Sequence, residues 1–500
     1  MRRWALLLIF IGVAPLAAAK EARDILEAVA AEIGAAQLES IEYRGTGWYA
    51  RFGQSFAPGQ DFPRTTMSNY VRKIDYEARS SLEDLTRVQT DPPAPGGGRP
   101  FIGEQRMVTA VNGDYAWWMM GPRALPQPDA AELRQLEIWT TPHGVVKAAL
   151  AAEPTAFVRT QFDEGEVTVV SFIAMGKYRV NAYITEENVI ETVQTWFADP
   201  VLGDTLWEAR YDDYKDVGNG VKFPSVMQYS RGMRFPEPGN GVLEVRVNEV
   251  NINVPNAAPA VPDPVRLAGK TPGPAKAQPL GDGVWLIGGG SHHSVAVEFD
   301  NFIALVEAPL DEARSLAVLD EVRRLLPEKP VRYVVNSHHH FDHAGGLRTF
   351  VALGSSVITH HGNKDFFEQV LLNRAPRTLQ PDLLSLSPPS VMTSRPAAVI
   401  PVQDKHVLGD GSRTLELYTV RNFNHADTAL IAYLPDEKLL INADMYYPPF
   451  KGASLDPAML PGMRVLDSNI LERGLDVEKN VPLHGRTSSH ELFKQLVNGN

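Results

Sequence analysis

The sequence predicts an α/β region over residues 281–500, preceded by a β-rich, half-barrel-like region over residues 20–253. Three observations point there. Helix-period and strand-period stretches alternate after Gly281, whereas long strand-like stretches dominate before Ile252. Twelve of the thirteen His lie in the second region, and six of the eight Trp lie in the first. Between them, residues 254–280 are rich in Pro, Ala and Gly, a composition that suits an extended linker with few contacts across it. A chain of 500 residues is long enough for two or three domains of ordinary size.

The first region opens with Ile25, Leu26, Val29 and Ile33 at helical spacing. Strand-like stretches follow at 40–53, 104–119, 167–173, 177–184, 189–197, 205–214 and 242–252. Asn112-Gly113 between apolar flanks signals a tight hairpin. Trp117, Trp118 and Trp139 are read as core of the sheet before they are read as the lining of an apolar groove. In the second region, strands are expected at 284–287, 294–299, 302–306, 331–335, 357–359, 414–420, 428–434 and 439–441. Helices are expected from Asp311 to Leu325, near 347–353 and over 364–372. Asp311 can cap the first of these, with Leu316, Leu319, Val322 and Leu326 as its buried stripe.

Composition narrows the chemistry. Lys and Arg number 48 against 60 Asp and Glu, a net charge of −12, and no long basic run offsets it. Nucleic acid is therefore not an expected partner. The chain has no Cys, so disulfides, iron–sulfur clusters and thiolate-held zinc are excluded, and any metal must sit on His, Asp and Glu. At the start, Arg2 and Arg3 precede a short apolar run, Trp4 to Val13, and Ala17-Ala18-Ala19 offers a small-residue cleavage site. That pattern reads as a signal peptide over 1–19, since a membrane span needs about 20 apolar residues. The expectation is a periplasmic or secreted protein with no stable membrane anchor.

The chemistry centres on Ser337-His338-His339-His340-Phe341-Asp342-His343. Alternate residues of an extended segment face one side, so His338 and His340 can share one metal, while Asp342 and His343 can turn toward a neighbour. His339 alternates away and is expected to face solvent or to stand behind the ligands.

The spacing His-x-His-x-Asp-His resembles the signature of the metallo-β-lactamase superfamily, and the resemblance extends over residues 281–500. His425 in Phe423-Asn424-His425, Asp444 in Asn442-Ala443-Asp444 and His484 in Pro482-Leu483-His484 follow in the family's order, each after a strand. The resemblance implies an αββα sandwich and a binuclear centre. His338, His340 and His425 would hold one metal, Asp342, His343 and His484 the other, and Asp444 would bridge. The implied cofactors are two Zn2+ ions, with iron or manganese as alternatives. Two such ions lower the pKa of a shared water so that it attacks an electrophilic centre at neutral pH. In the first region, the segment from Tyr211 to Val217, with Val221-Lys222-Phe223-Pro224, resembles lipoprotein-carrier-like β folds over a few dozen residues.

Departures from the family pattern refine the reading. The family's early strand often ends in Asp, where Glu307 stands here. Asp444 occupies the place where zinc β-lactamases usually carry Cys or Ser, which turns the implied substrate away from β-lactams. Tyr447 lies near the place where acyl-homoserine lactonases carry a substrate-binding Tyr, so Asp342 and Tyr447 are the candidate catalytic groups. Tyr446 and Tyr447 read equally well as aromatic packing. The pairs His292-His293 and His360-His361 are taken as structural or exposed, although each could reach the cleft. Residues 374–404, rich in Pro, Ser and Leu, are expected to form a lid or substrate wall, with Leu383, Leu384, Leu386 and Met392 shaping an apolar pocket. Met459 to Met463 would extend its wall.

The function that follows is an exported binuclear zinc hydrolase acting on a carboxylic ester, lactone, thioester or amide of a partly apolar small molecule. A phosphodiesterase or phosphotriesterase on the same metals is the first rival and a β-lactamase the second. A rival of another class is an apolar-ligand-binding protein with a non-catalytic metal site. Oligomeric state is left open.

Overall fold

The computed structural model describes residues 14–161, 165–232, 240–268, 274–372, 377–387, 398–450 and 452–499. Most of the expected leader and Met392 lie outside them.

The first region is built on one antiparallel sheet of thirteen strands. Ser40–Ala50 and Asn240–Ile252 pair in its middle, and its edges are Arg123–Pro126 and Thr155–Gln161. Laid flat, such a sheet would be roughly 60 Å across at ordinary strand spacing. It is not flat. The helix Ala131–Trp139 packs against strands near one edge, and Pro142–Leu150 and Ala14–Glu32 pack near the other, yet the three helices touch in series. The sheet therefore curls round them. Leu26 and Val29 of the first helix, Ile33 just past its end, Leu136 and Ile138 of the second and Val145, Val146 and Ala149 of the third share one apolar cluster with the strands.

Sequence periodicity located the hairpin at Asn112-Gly113, where Asn112 pairs with Tyr115 and Gly113 adopts φ +54°. It missed the strands Arg64–Asp75, Ser80–Val88 and Lys222–Arg231 and the helices over 131–150. The polar pattern of 64–75 has a physical cause: Arg72, 4% exposed, donates to Ser81 and faces Glu137. Trp117 is core, Trp118 is exposed, and Trp139 lines an open groove with Tyr76 and Lys147.

The stretch 254–280 makes more contacts than its composition suggests. Val265 packs beneath Ala110 and Trp117, and Asn112 donates to the Pro259 carbonyl at 3.0 Å. Its last residues belong to Lys276–Gly281, the outer strand of the next sheet.

The second region is an αββα sandwich of a seven-stranded and a six-stranded sheet. The alternation of side chains along each strand decides which layer it feeds. Val295, Val297, Ala304 and Val306 point inward, to meet Leu415, Leu417, Leu430 and Ile441 of the facing sheet. Ala296, Ile303 and Leu305 point outward, onto the helices Glu312–Leu325 and Leu347–Ala352. Leu460–Arg473 and His490–Val497 cover the other sheet through Met463, Leu466, Ile470 and Phe493. Asp311 caps its helix by accepting from the Arg314 amide at 2.8 Å. The stripe of that helix differs by one position: Val318 is buried with Leu319 and Val322, and Leu316 is 39% exposed.

The two regions are docked. The buried guanidinium of Arg377 donates to the carbonyls of Asp199, Pro200 and Val201, and the Asp204 carboxylate accepts from Thr378 and Leu379. A second contact, from residues 51–56 and 89–102, reaches the candidate site itself.

Candidate metal centre

Every candidate ligand sits where a strand ends, since there the side chains leave the packed layers and converge on one rim. The strand Val331–Val335 runs into His338 and His340, and the short helix Phe341–Ala344 then carries Asp342 and His343. His425 precedes Leu430–Leu434, Asp444 follows Leu439–Asn442, and His484 follows Lys479–Pro482. Asp444 and Glu307 hold left-handed backbone, φ +61° and +77°. For residues other than Gly this costs of order 1–3 kcal/mol each, and such strain concentrates where a side chain must be aimed.

The side chains gather into two sets, each with ligand atoms within 4.8 Å of one another: His338, His340, His425 and Asp444, and His292, His343 and His484. Asp444 touches both. Its Oδ2 lies 3.3 Å from Nε2 of His338, 2.9 Å from Nε2 of His425 and 3.0 Å from Nε2 of His343, and its Oδ1 lies 3.0 Å from Nε2 of His484. Two donors bound at 2.0–2.1 Å to one tetrahedral ion stand about 3.3 Å apart, so these spacings suit metal ligation.

Hydrogen bonds fix which nitrogen of each ring is free. The Ser337 hydroxyl gives its proton to Glu307, so toward Nδ1 of His338, at 3.0 Å, it accepts. That leaves Nε2 of His338 as the lone-pair nitrogen. Glu307 also accepts from Nδ1 of His343 at 2.9 Å, freeing the His343 Nε2. Nε2 of His340 donates to the Ser55 carbonyl at 2.8 Å, and Nδ1 of His484 to the Ser291 carbonyl at 3.1 Å. Nε2 of His338, Nδ1 of His340 and Nε2 of His425 are buried and make no hydrogen bond. Unpaired buried nitrogens aimed at a shared carboxylate are the arrangement a cation would satisfy, and the outer partners orient the rings as they do around bound metals. The residues fit a metal centre.

Electrostatics agree. Burial, with neighbouring imidazoles, lowers His338 to about 3 and holds His340 well below the ordinary value, so both rings are neutral donors. Burial would also depress His343, but Asp444 and Glu307 outweigh it and hold that ring well above the usual range, so without an ion its Nε2 carries a proton toward Asp444 that a bound cation would replace. Burial would raise Asp444, yet His343, His484 and His425 keep it ionised. Asp342 stands beside the second set, outside the atoms that all lie within 4.8 Å of one another. Gln54 donates to its Oδ1 at 2.7 Å, and its Oδ2 lies 3.5 Å from Nε2 of His292 and 3.9 Å from Arg51. The Tyr447 hydroxyl donates to Asp444 Oδ1, and its ring stacks on His484.

Several expectations are decided here. Of the two readings of His339, solvent-facing or standing behind the ligands, the second holds: it is 1% exposed and lies between the hydroxyls of Ser55 and Thr428. His292 is 8% exposed inside the second set, whereas its neighbour His293 bonds the Gly485 carbonyl. His360 and His361 pack on each other outside both sets. Tyr446 is fully buried and bonded to Ser488, so it is packing. Leu384 is core and Leu386 is 71% exposed, so neither shapes the site.

The described wall of the pocket comes from both regions. A cavity of about 310 Å3 opens on His425 and Asp444, lined by Pro93, Phe101 and Ile102 from the first region and by Phe423, Met459 and Pro461 from the second. None of its described lining residues is Lys or Arg. The contribution of residues 51–56 and 89–102 was not foreseen. Ser55 and His340 are 285 positions apart, and nothing periodic in the loop announces the contact.

Residues 287–484 match the family model of the metallo-beta-lactamase superfamily, whose members are generally metal-dependent hydrolases. Among solved structures, a metallo-beta-lactamase from Pontibacter korlensis is similar at 16% identity and TM-score 0.33, over 45% of this chain and 97% of that one. The FIM-1 metallo-beta-lactamase of Pseudomonas aeruginosa, in its mono-zinc form, is similar at 16% identity and TM-score 0.32, over 45% and 94%. A metallo-beta-lactamase from Hirschia baltica is similar at 16% identity and TM-score 0.32, over 45% and 97%. No curated protein matches the chain.

Proposed function

We propose, from the premise that residues 287–484 form a metallo-β-lactamase superfamily domain, that the protein is an exported binuclear zinc hydrolase of a neutral carboxylic ester, lactone, thioester or amide. The observation that carries this reading is Asp444, whose carboxylate stands within 3.3 Å of histidines from both sets at the mouth of an apolar pocket. His338, His340 and His425 would hold one ion and Asp342, His343 and His484 the other, with Asp444 between them. Bound there, the ions would supply Lewis-acid polarisation of the substrate oxygen and a water acidic enough to react near neutral pH.

The chain's own residues do the rest. Phe101, Ile102, Phe423 and Met459 receive the apolar part of the substrate and exclude water from it. Tyr447 keeps its proton because burial and then Asp444 raise it well above the ordinary phenol; with Asp444 engaged by the ions, the one proton its hydroxyl gives to Asp444 would be free to turn to the acyl oxygen. Asp342, oriented by Gln54, takes the proton of the attacking water. The water oxygen bonds to the acyl carbon, the bond from that carbon to the leaving heteroatom breaks, and the proton passes to the leaving atom. The charge of a phosphodiester would meet no Lys or Arg among the described lining residues of the cavity, which favours the carboxylic substrates.

The test is turnover by the mature protein of an aryl ester, a homoserine lactone, a thioester, a chromogenic cephalosporin and an aryl phosphodiester, with and without a chelator. Chelator-sensitive cleavage of a carboxylic substrate supports the reading. Cleavage of the phosphodiester alone, or of the cephalosporin alone, replaces it with a rival. Export is tested by the N-terminus of the mature protein, expected at Lys20.

A further inference from the structure

His292 lies outside the His-x-His-x-Asp-His pattern, yet its ring is built into the site. Nε2 of His292 is buried and makes no hydrogen bond, a condition that costs about 1–3 kcal/mol unless something binds the nitrogen. The ring centroid is 3.9 Å from that of His484 and 5.1 Å from that of His343. Asp342 Oδ2 stands 3.5 Å from Nε2, too far for a good hydrogen bond but close to the spacing of two donors on one tetrahedral ion.

The backbone holds this placement. His292 bridges His484, the His293 amide donates to the Leu483 carbonyl at 2.9 Å, and Arg314 donates to the His292 carbonyl at 3.4 Å. Nδ1 of His292 is occupied at 2.9 Å by the Ser291 hydroxyl, so Nε2 is the ring nitrogen left facing the site. Ser291 thus supports two rings of the set, His292 through its hydroxyl and His484 through its carbonyl.

We infer that His292 is a direct ligand of the second metal position, which then has three imidazoles rather than the two that the sequence pattern supplies. This rests on the metal centre proposed above. With Asp342 beside it and Asp444 shared, the second position has one more protein donor than the first, and its ion is the last to leave on chelation.

The experiment uses the full chain freed of metal and titrated with Co2+ in the absence of substrate. Visible absorption follows the binding, and X-ray absorption counts imidazoles. The wild type is expected to bind two ions. His292→Ala and His292→Gln are expected to weaken the ion of the second position by at least about tenfold and to lower the imidazole count, with the ion held by His338, His340 and His425 unaffected. Two substitutions guard against a folding artefact, as does the unfolding temperature of the metal-free forms. His293→Ala, whose ring bonds a carbonyl outside the set, is expected to bind both ions as the wild type does. Wild-type affinities and spectra in both His292 variants would overturn the assignment, and so would a wild type that binds no Co2+. A wild type that binds two ions but cleaves nothing on the substrate panel would remove the hydrolase reading and leave this one standing.

Discussion

The main-chain oxygen of Ser55 accepts a 2.8 Å hydrogen bond from Nε2 of His340, and so joins the first region to a ring whose other nitrogen, Nδ1, faces the metal centre. A carbonyl can only accept, which fixes the His340 tautomer with its lone pair on Nδ1. The next-door side chain acts in parallel, since Gln54 donates to Asp342 at 2.7 Å. Residues far upstream of the ligand cluster therefore orient two of its members.

Gln54 supplies the first expected outcome. Gln54→Ala frees the Asp342 carboxylate without touching a ring, and kcat is expected to fall roughly 10–100-fold, the usual cost of losing an outer partner. KM and the unfolding temperature of the metal-free protein are expected to hold. Steady-state kinetics and a thermal melt check both.

Tyr447→Phe removes the hydroxyl beside Asp444 and leaves the ring stacked on His484. Loss of one aimed donor costs about 100-fold in kcat in comparable sites. Metal content is expected to stay at the wild-type value. An unchanged kcat would make Tyr447 a packing residue.

How far the sequence carried the argument depends on how local each signal was. His338, His340, Asp342 and His343 share one short segment, and strand and turn geometry alone brings them together. His425, Asp444 and His484 were legible only through the resemblance to the family, whose ligands come in that order, each at a strand end. His292 was hidden beside His293, since a His pair in a Gly-rich loop carries no periodicity to say which ring turns inward. Gln54 and Ser55 were hidden because their contacts are made only when the two regions dock. A lid or substrate wall was sought in 374–404 on composition, and much of that stretch lies outside the described residues; the share of the wall from 89–102 went unseen because that Pro- and Gly-rich loop has no local mark to distinguish it.

His143 ties stability to pH away from the metals. Its ring is fully buried, with Nε2 2.9 Å from the Ile33 carbonyl, and burial lowers it to about 4. The unfolded chain takes up this proton near the ordinary value of about 6.5, the folded chain only near 4. The contribution is therefore complete above pH 6.5 and is lost as pH falls toward 4, at roughly 2–3 kcal/mol by pH 4.5. His143→Gln is expected to shrink the pH 7 to 4.5 stability difference by about that amount in denaturant titrations. Parallel curves for the two proteins would contradict it.

Leu417 tests the sandwich itself. It is fully buried between the two sheets, and Leu417→Ala leaves a cavity that neighbouring strands cannot close. The expected cost is about 2–5 kcal/mol in unfolding free energy. Urea denaturation of the metal-free protein measures it.

The central claim is that two ions held round Asp444 make the site reactive, and reconstitution measures it most directly. Metal-free protein is titrated with Zn2+ while bound metal per chain and cleavage of the best panel substrate are read together. The account predicts no turnover without metal, a rise to full rate as the second ion binds, and in Asp444→Asn neither two bound ions nor more than about a hundredth of the rate. Full turnover by the metal-free chain, or by Asp444→Asn, would contradict it.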